Sequence, residues 1–328
     1  MPFLLGVNFL GMAFDFDAAV QAPHRMQPGL RRLAPGAAQL TPLRPGPGGP
    51  AGHLGEKLAV LATFAPQALL CQAGFDPGPA LWALATHAAA EQPLAFGIDG
   101  LGWQAPLLGW ALDAHDHPQA MRDSLPEIGP LLAALPRAWR RTALLSLAFA
   151  EDFAVIDGAS GSLPWLAVAL PSMWAPESKL GKSFAEAHAP VADNRLVVGA
   201  APQLVKLVTG ADTWERFVWT LTAHPRLHGH PQRVDPARWP PGLTDEQLAA
   251  HTWWRTERQT FIAVPGAGQA VFTILVNLVP LTRAFSQPAQ AARVHDALAS
   301  MSAAVLAYRG LAAAQPALLR WLARQAGG

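Results

Sequence analysis

One cysteine, one tyrosine and a charged fraction of only 14% set the first limits on this 328-residue chain. Cys71 stands alone, so no internal disulfide can form, and no four-thiolate zinc or iron–sulfur centre can be built from the chain by itself. The net charge is +1 and no basic tract is present, which argues against nucleic acid as a partner. With 51% hydrophobic residues and so few charges, much of the surface must be neutral, and that leaves room for a partner interface. No apolar run reaches the length of a membrane span: the best, Gln269 to Leu281, is too short and contains Asn277 and Pro280. Met1 to Phe16 is apolar but lacks a basic leading region and carries Asp15, with Asp17 just beyond. It reads as packing surface and not as a signal peptide. These features predict a cytoplasmic protein with no membrane contact, long enough for one large domain or two ordinary ones.

Proline and glycine punctuate the first third. Pro42 to Gly55 reads as a loop, and helices are expected over Glu56–Ala73, Pro79–Ala90 and Pro126–Leu135. Near Thr142 the composition changes. Leu144–Ile156 and Pro164–Leu170 read as buried strands, and a helix should open at Pro176 and run through to His188, where Pro190 ends it. Another helix covers Pro202–Val208. Glu215–Thr222 reads as a strand with Phe217, Trp219 and Leu221 on one face and Arg216, Val218 and Thr220 on the other. Thr244 and Gln247 form a capping box for a short helix. Trp253–Val264 and Gln269–Val279 are the clearest hairpin, joined by Pro265-Gly266-Ala267-Gly268. Ala289–Arg324 is helical, broken at Pro316. The predicted class is α+β: an antiparallel sheet of PAS-like layout with helices packed on one face. A mainly helical N-terminal region (1–140) and C-terminal helices (286–328) flank a core over 141–285.

Several familiar motifs fail on spacing. Gly181-Lys182-Ser183 lacks the leading glycine of a phosphate-binding loop, because Pro176 occupies that position. Ser162 stands where the last glycine of a nucleophile elbow belongs. Gly266 and Gly268 lie in a hairpin turn, so they make no dinucleotide fingerprint. His224, His228 and His230 have ligand-like spacing, but prolines interrupt them and no carboxylate or thiolate is near in sequence. They read as an exposed loop, and His115-Asp116-His117 as a solvated turn.

Two features remain. Leu180, Phe184 and His188 are spaced i, i+4, i+8, which on one helix would share an apolar face. A histidine there most often hydrogen-bonds to backbone inside a core, yet a neutral imidazole on an apolar face also suits a haem iron. The second is Arg255-Thr256-Glu257-Arg258-Gln259, where alternation places Arg255, Glu257 and Gln259 on one face. Either cross-strand ion pairs or a cofactor pocket fits that pattern. In a pocket, arginine pairs with carboxylates and Glu257 with an ammonium.

The stretches Glu151-Asp152-Phe153, Pro171-Ser172-Met173-Trp174-Ala175-Pro176-Glu177-Ser178-Lys179-Leu180-Gly181, His188-Ala189-Pro190-Val191 and Trp254-Arg255-Thr256-Glu257-Arg258-Gln259-Thr260, followed by Phe272-Thr273-Ile274, resemble in order and spacing the haem-dependent oxidative N-demethylase (dimethylamine monooxygenase) family. The resemblance extends over roughly residues 25–285 and is densest from Glu151 onward. It implies a PAS-like fold binding haem b, with His188 as iron ligand. Phe184, Leu180, Trp219, Arg255, Arg258 and Gln259 would surround the cofactor, and Glu257 and Arg216 would face the substrate. It further implies O₂-dependent oxidation of a small methylated amine such as dimethylamine, with electrons from a flavin and iron–sulfur reductase subunit and a folate-binding subunit to take up formaldehyde. The single cysteine suits that division of labour. A haem-based gas or redox sensor, or a binding protein without turnover, is the other reading of the same residues.

Overall fold

The computed structural model describes residues 8–9, 12–46, 51–100, 102–235 and 237–327. Most of the apolar N-terminal segment and the middle of the Pro42–Gly55 loop lie outside the described residues. In chain order, β1 (Asn8–Phe9) and β2 (Met12–Ala13) precede α1 (Phe16–Ala19), β3 (Arg31–Arg32), α2 (Gly52–Ala68), β4 (Leu69–Cys71) and α3 (Gly78–Glu91). A meander of β5 (Gly97–Asp99), β6 (Gly102–Ala105), β7 (Trp110–Asp113) and β8 (Pro118–Ala120) follows, then α4 (Ile128–Ala134) and α5 (Arg137–Ala148). The second half runs β9 (Asp152–Asp157), β10 (Trp165–Ala167), α6 (Phe184–His188), α7 (Arg195–Gly199), α8 (Ala201–Val208), β11 (Trp214–Thr222), α9 (Asp245–Ala250), β12 (Trp253–Val264) and β13 (Gln269–Pro280). It ends in α10 (Pro288–Ala299), α11 (Ala303–Tyr308) and α12 (Gln315–Ala326).

The main sheet is antiparallel, with order β3-β11-β12-β13-β9-β10-β4, so the α+β class holds. Its register fixes which side chains share a face, because directly paired residues of antiparallel strands point the same way. Gln259 pairs with Arg216 and Ile274, Glu257 with Val218 and Val276, and Phe272 with Ala154, which pairs in turn with Leu166. These residues form what we call the front face. Phe153, Val155, Trp165, Ile262, Val271 and Leu275 point to the back, where they join α2, α3 and α5 in one core. Further along the back, Trp219, Leu221 and Trp254 pack against α9, α10 and α12. The front face is also covered, by the segment from Leu163 to Val208, including α6 and α8. Helices on one face only, as the sequence suggested, is therefore corrected to helices on both.

Four local expectations change. Thr142–Ala148 is the buried end of α5 and not a strand, and strand β9 begins only at Asp152. A run buried all round carries no periodicity to separate helix from strand. The N-terminal third contains the four-stranded meander, whose strands of three or four residues are too short to alternate legibly. And the helix expected from Pro176 to His188 is a 3-10 turn at Pro176–Ser178, a break, and then five-residue α6. Gly181, at φ 72°, turns the chain, and Ser183 restarts it with a capping box to Glu186. Leu180 consequently sits in the turn, packed against Ala154, Leu166 and Val168, and does not share a helix face with Phe184 and His188. The C-terminal segment holds three helices where two were expected, with Pro316 in the first turn of α12.

A buried charge cluster ties the halves together. Lys57 of α2 is fully buried. Its ammonium donates to the carbonyls of Phe149 and Glu151, at 3.0 and 2.6 Å, and pairs with Asp152 at 3.2 Å. Asp152 accepts in turn from the Leu170 N–H. The Glu151 carboxyl accepts from the Thr41 N–H, and burial pushes its pKa up to about 7. The Glu151-Asp152-Phe153 stretch thus serves packing and registry. Candidate spans long and apolar enough to cross a membrane do not occur among the described helices.

Candidate functional site

Between α6 and the front of the sheet lies a slot made of two adjoining cavities, about 250 and 240 Å³. Both are bordered by His188, Val191, Arg216, Val218, Glu257 and Tyr308. Together they fall in the size range of small-molecule and cofactor sites, about 300–1,000 Å³. The second cavity has an apolar wall of Ala154, Ile156, Leu166, Phe261, Phe272 and Ile274, all on the front face. The first wraps the free edge of β11, which pairs with β3 only through Trp214 and Glu215.

His188 is fixed through its ring and through the backbone around it. Its Nδ1–H donates to the Phe184 carbonyl at 2.7 Å, and its ring lies 4.2 Å from the Phe184 ring. The Asn194 amide donates to the His188 and Ala189 carbonyls, and the Lys179 ammonium donates to the Ala187 carbonyl, so the end of this short helix is tied down. The bond at Nδ1 sets the tautomer and leaves Nε2 with its lone pair and no partner among the described residues. Burial, helped by the positive charges of Arg216 and Lys179, lowers the His188 pKa to about 4, so the imidazole is neutral at physiological pH.

This depression has a testable sign. The unfolded chain takes up a proton near the ordinary value of 6.5 that the folded site refuses until about 4. His188 therefore contributes its full stability above about pH 6.5, and the contribution is lost as pH falls from there toward 4. Urea midpoints of haem-free protein should drop more between pH 7 and pH 5 in the wild type than in His188→Gln. Equal drops would remove His188 from the balance.

Facing His188 across the slot, Arg216 and Gln259 sit on paired positions, and Glu257 lies one side-chain step along. The Gln259 amide donates to Glu257 Oε2 at 2.6 Å. No arginine lies within ion-pair distance of Glu257 among the described residues, so the cross-strand ion-pair reading of this carboxylate does not hold. The Arg216 Nε is buried without a hydrogen-bond partner, while Glu257 exerts an attraction on its charge.

The other arginines of that strand do different work. Arg255 is 1% exposed and borders the slot, but its guanidinium is largely used up. It donates to Ser172 Oγ and to the carbonyls of Leu170, Pro171, Arg226 and Leu227. Four of its five N–H groups are engaged in this way, which leaves one on Nη1 and no two-pronged fork for a cofactor carboxylate. Arg258 is on the back of the sheet, where it pairs with Glu215 and donates to the Ala38 carbonyl. Trp219 is also on the back, stacked on Trp254 at 4.8 Å, and only borders the slot where it wraps the strand edge. Arg255→Met should cost about 3–5 kcal/mol of stability in chemical denaturation, since it strands several buried carbonyls at once. A variant of wild-type stability with selectively lost cofactor would contradict this.

Of the histidine cluster expected on an exposed loop, His228 and His230 are buried and His224 is half-buried. His230 is 1% exposed and meets Glu177 at 3.0 Å, and His228 donates from Nδ1 to the Ala169 carbonyl. Its carboxylate partner is more than fifty residues away in sequence, which is why local spacing missed it. Groups of side chains able to hold a metal ion do not occur among the described residues. Sequence reasoning also passed over Tyr308, Arg309 and His24, which come to the slot from remote segments.

The site of this α+β protein is therefore a neutral, oriented imidazole beside a slot with an apolar wall, opposed by a carboxylate and an arginine. Residues 138–319 match the family model of the haem-dependent oxidative N-demethylase, alpha subunit-like proteins, and the chain belongs to that family. The matched region starts in α5, contains α6 and the whole β11–β13 unit, and reaches into α12.

Proposed function

We propose that this chain is the haem-binding, catalytic subunit of an oxidative N-demethylase acting on a small methylated amine such as dimethylamine. The observation that carries the reading is the geometry at His188: Nδ1 bound to backbone, Nε2 free, the ring neutral and turned to an apolar slot. The residues fit haem b. The apolar front face suits the ring, and the orphaned Arg216 Nε inside the slot is a donor awaiting an acceptor. Antiparallel β9–β13 with a short helix laid across the front supports a PAS-like description of the core.

When bound, haem supplies O₂ binding and the oxidation itself. The chain supplies the rest. His188 would hold the iron through Nε2. Glu257, oriented by Gln259, accepts an N–H of the ammonium at Oε1 and turns a methyl group toward the centre of the slot, which is catalysis by positioning. Arg216, on the same wall, adds positive charge where negative charge develops on oxygen. The apolar wall from Ala154 to Ile274 keeps water out. The net reaction would take one O₂, two electrons from a partner and two protons, cleave the N–CH₃ bond, and give the demethylated amine, formaldehyde and water. A flavin and iron–sulfur reductase subunit fits that need, since one cysteine cannot hold a cluster. A folate-binding subunit fits the formaldehyde.

The test is turnover. Haem-loaded protein, mixed with such a reductase and NADPH, should consume O₂ only when dimethylamine is added, and formaldehyde should appear in equal amount. Haem binding without amine-dependent consumption would leave a sensor or binding protein. A protein that takes up no haem would end the proposal.

A further inference from the structure

The first cavity carries more positive charge than its one carboxylate can balance. Arg25, Arg216, Arg255 and Arg309 border it, and Glu257 is the only acid among the described residues that do. Arg255 is largely spent on backbone oxygens, Arg25 is exposed at the rim, and Arg216 feels Glu257. Arg309 is left over. One of its N–H groups goes to the Trp219 carbonyl at 3.0 Å, and another points at the Met26 thioether, 3.6 Å away, a weak acceptor. It lies over the Trp219 ring at 5.7 Å and pairs with no carboxylate among the described residues. Burial lowers its pKa to about 10, so it stays charged at neutral pH. Arg309 is half-buried, a guanidinium partly withdrawn from water without an anion is costly, and its planar fork matches a carboxylate. Arg309, like Arg25 and Arg255, borders only the first cavity and not the second, so the slot has a cationic end.

We infer that Arg309 is a carboxylate-binding residue of the slot, its ligand being either a haem propionate or the carboxylate of an N-methylated amino acid taken as substrate. The inference rests on the haem reading above. Two titrations separate the sources. In the first, haem-free wild type, Arg309→Gln and Arg309→Lys are titrated with haemin and with haemin dimethyl ester, whose propionates are blocked. If a propionate is the ligand, wild type prefers haemin by ~10-fold or more, the worth of one charge-assisted contact. Arg309→Gln loses that preference while its affinity for the ester is unchanged. Arg309→Lys, which keeps the charge but not the fork, falls between. In the second, haem-loaded proteins are titrated spectrally with dimethylamine and with N-methylglycine. If a substrate carboxylate is the ligand, wild type prefers N-methylglycine and Arg309→Gln reverses the order.

Either pattern supports the assignment. Preferences unchanged in Arg309→Gln overturn it. So does an equal loss for both members of each pair, which would mean that Arg309 only braces the Trp219 carbonyl. Wild type that binds haemin and ester alike, and both amines alike, overturns the subsite while the haem reading stands. Wild type that binds neither haemin nor ester removes both.

Discussion

Replacing His188 with alanine should strip the haem from a protein that otherwise stays folded. The folded-state cost is small: one hydrogen bond to the Phe184 carbonyl and the ring contact with Phe184, the bond worth about 1 kcal/mol net. The cofactor cost is large, because outer-shell partners of metal ligands alone are worth about 10–100-fold in metal affinity and a direct ligand exceeds them. Haem retention should fall by ~100-fold or more, with the Soret band lost or strongly displaced. Helical circular dichroism and the melting temperature of the haem-free forms should stay close to wild type. Added imidazole, entering the space left by the side chain, should restore part of the band. An unchanged spectrum would place the ligand elsewhere. His24 would then be the next residue to change, since it also borders the slot, whereas His228 and His230 are taken up by Ala169 and Glu177.

Glu257→Gln separates the substrate from the cofactor. It keeps size and hydrogen-bonding shape and removes one negative charge. Glu257 braces no arginine at ion-pair distance, so its loss should not unfold the sheet. Haem content should therefore hold, and the melting temperature should change little. The amine response should not hold. A neutral amide binds an ammonium far less well than a carboxylate does, and removing a preorganised charge partner at a reacting centre costs ~10²–10³-fold in rate. Spectral shifts on adding dimethylamine should vanish, and kcat/KM should drop by that order. A fall in stability that precedes any loss of amine response would return Glu257 to a structural role. A variant that is stable and responds normally to dimethylamine would remove it from both roles.

Alternation alone gave the faces of β11 and β12, since a strand with period two leaves no freedom once one residue is placed. It set Glu257 and Gln259 opposite Arg258 on one strand and Arg216 opposite Trp219 on the other; that Arg216 shares a face with Glu257 and Gln259 needed the register, which only the structure supplies. What alternation could not supply was occupancy. Arg255 sits on the correct face and borders the slot, yet the Pro171–Ser172 and Arg226–Leu227 segments consume most of its donors, and those segments are remote in sequence. The position of His188 was legible, but the helix drawn around it was not. The S-x-x-E capping box at Ser183 was present in the sequence as the signal for a restart after Gly181, and the periodicity of Leu180, Phe184 and His188 masked it. Tyr308 and Arg309 carried no local signal. They reach the slot because α11 is held to the loop after α6, where Ser302 donates to Asp193.

The central claim is that His188 binds haem in the slot between α6 and the front of the sheet, and one titration tests it most directly. Haem-free protein, titrated with haemin and followed at the Soret band, should saturate at one haem per chain, and the saturated protein should shift on addition of dimethylamine. His188→Ala should give neither the saturation nor the shift. Saturation at one haem per chain in both proteins, with the same band, would contradict the account.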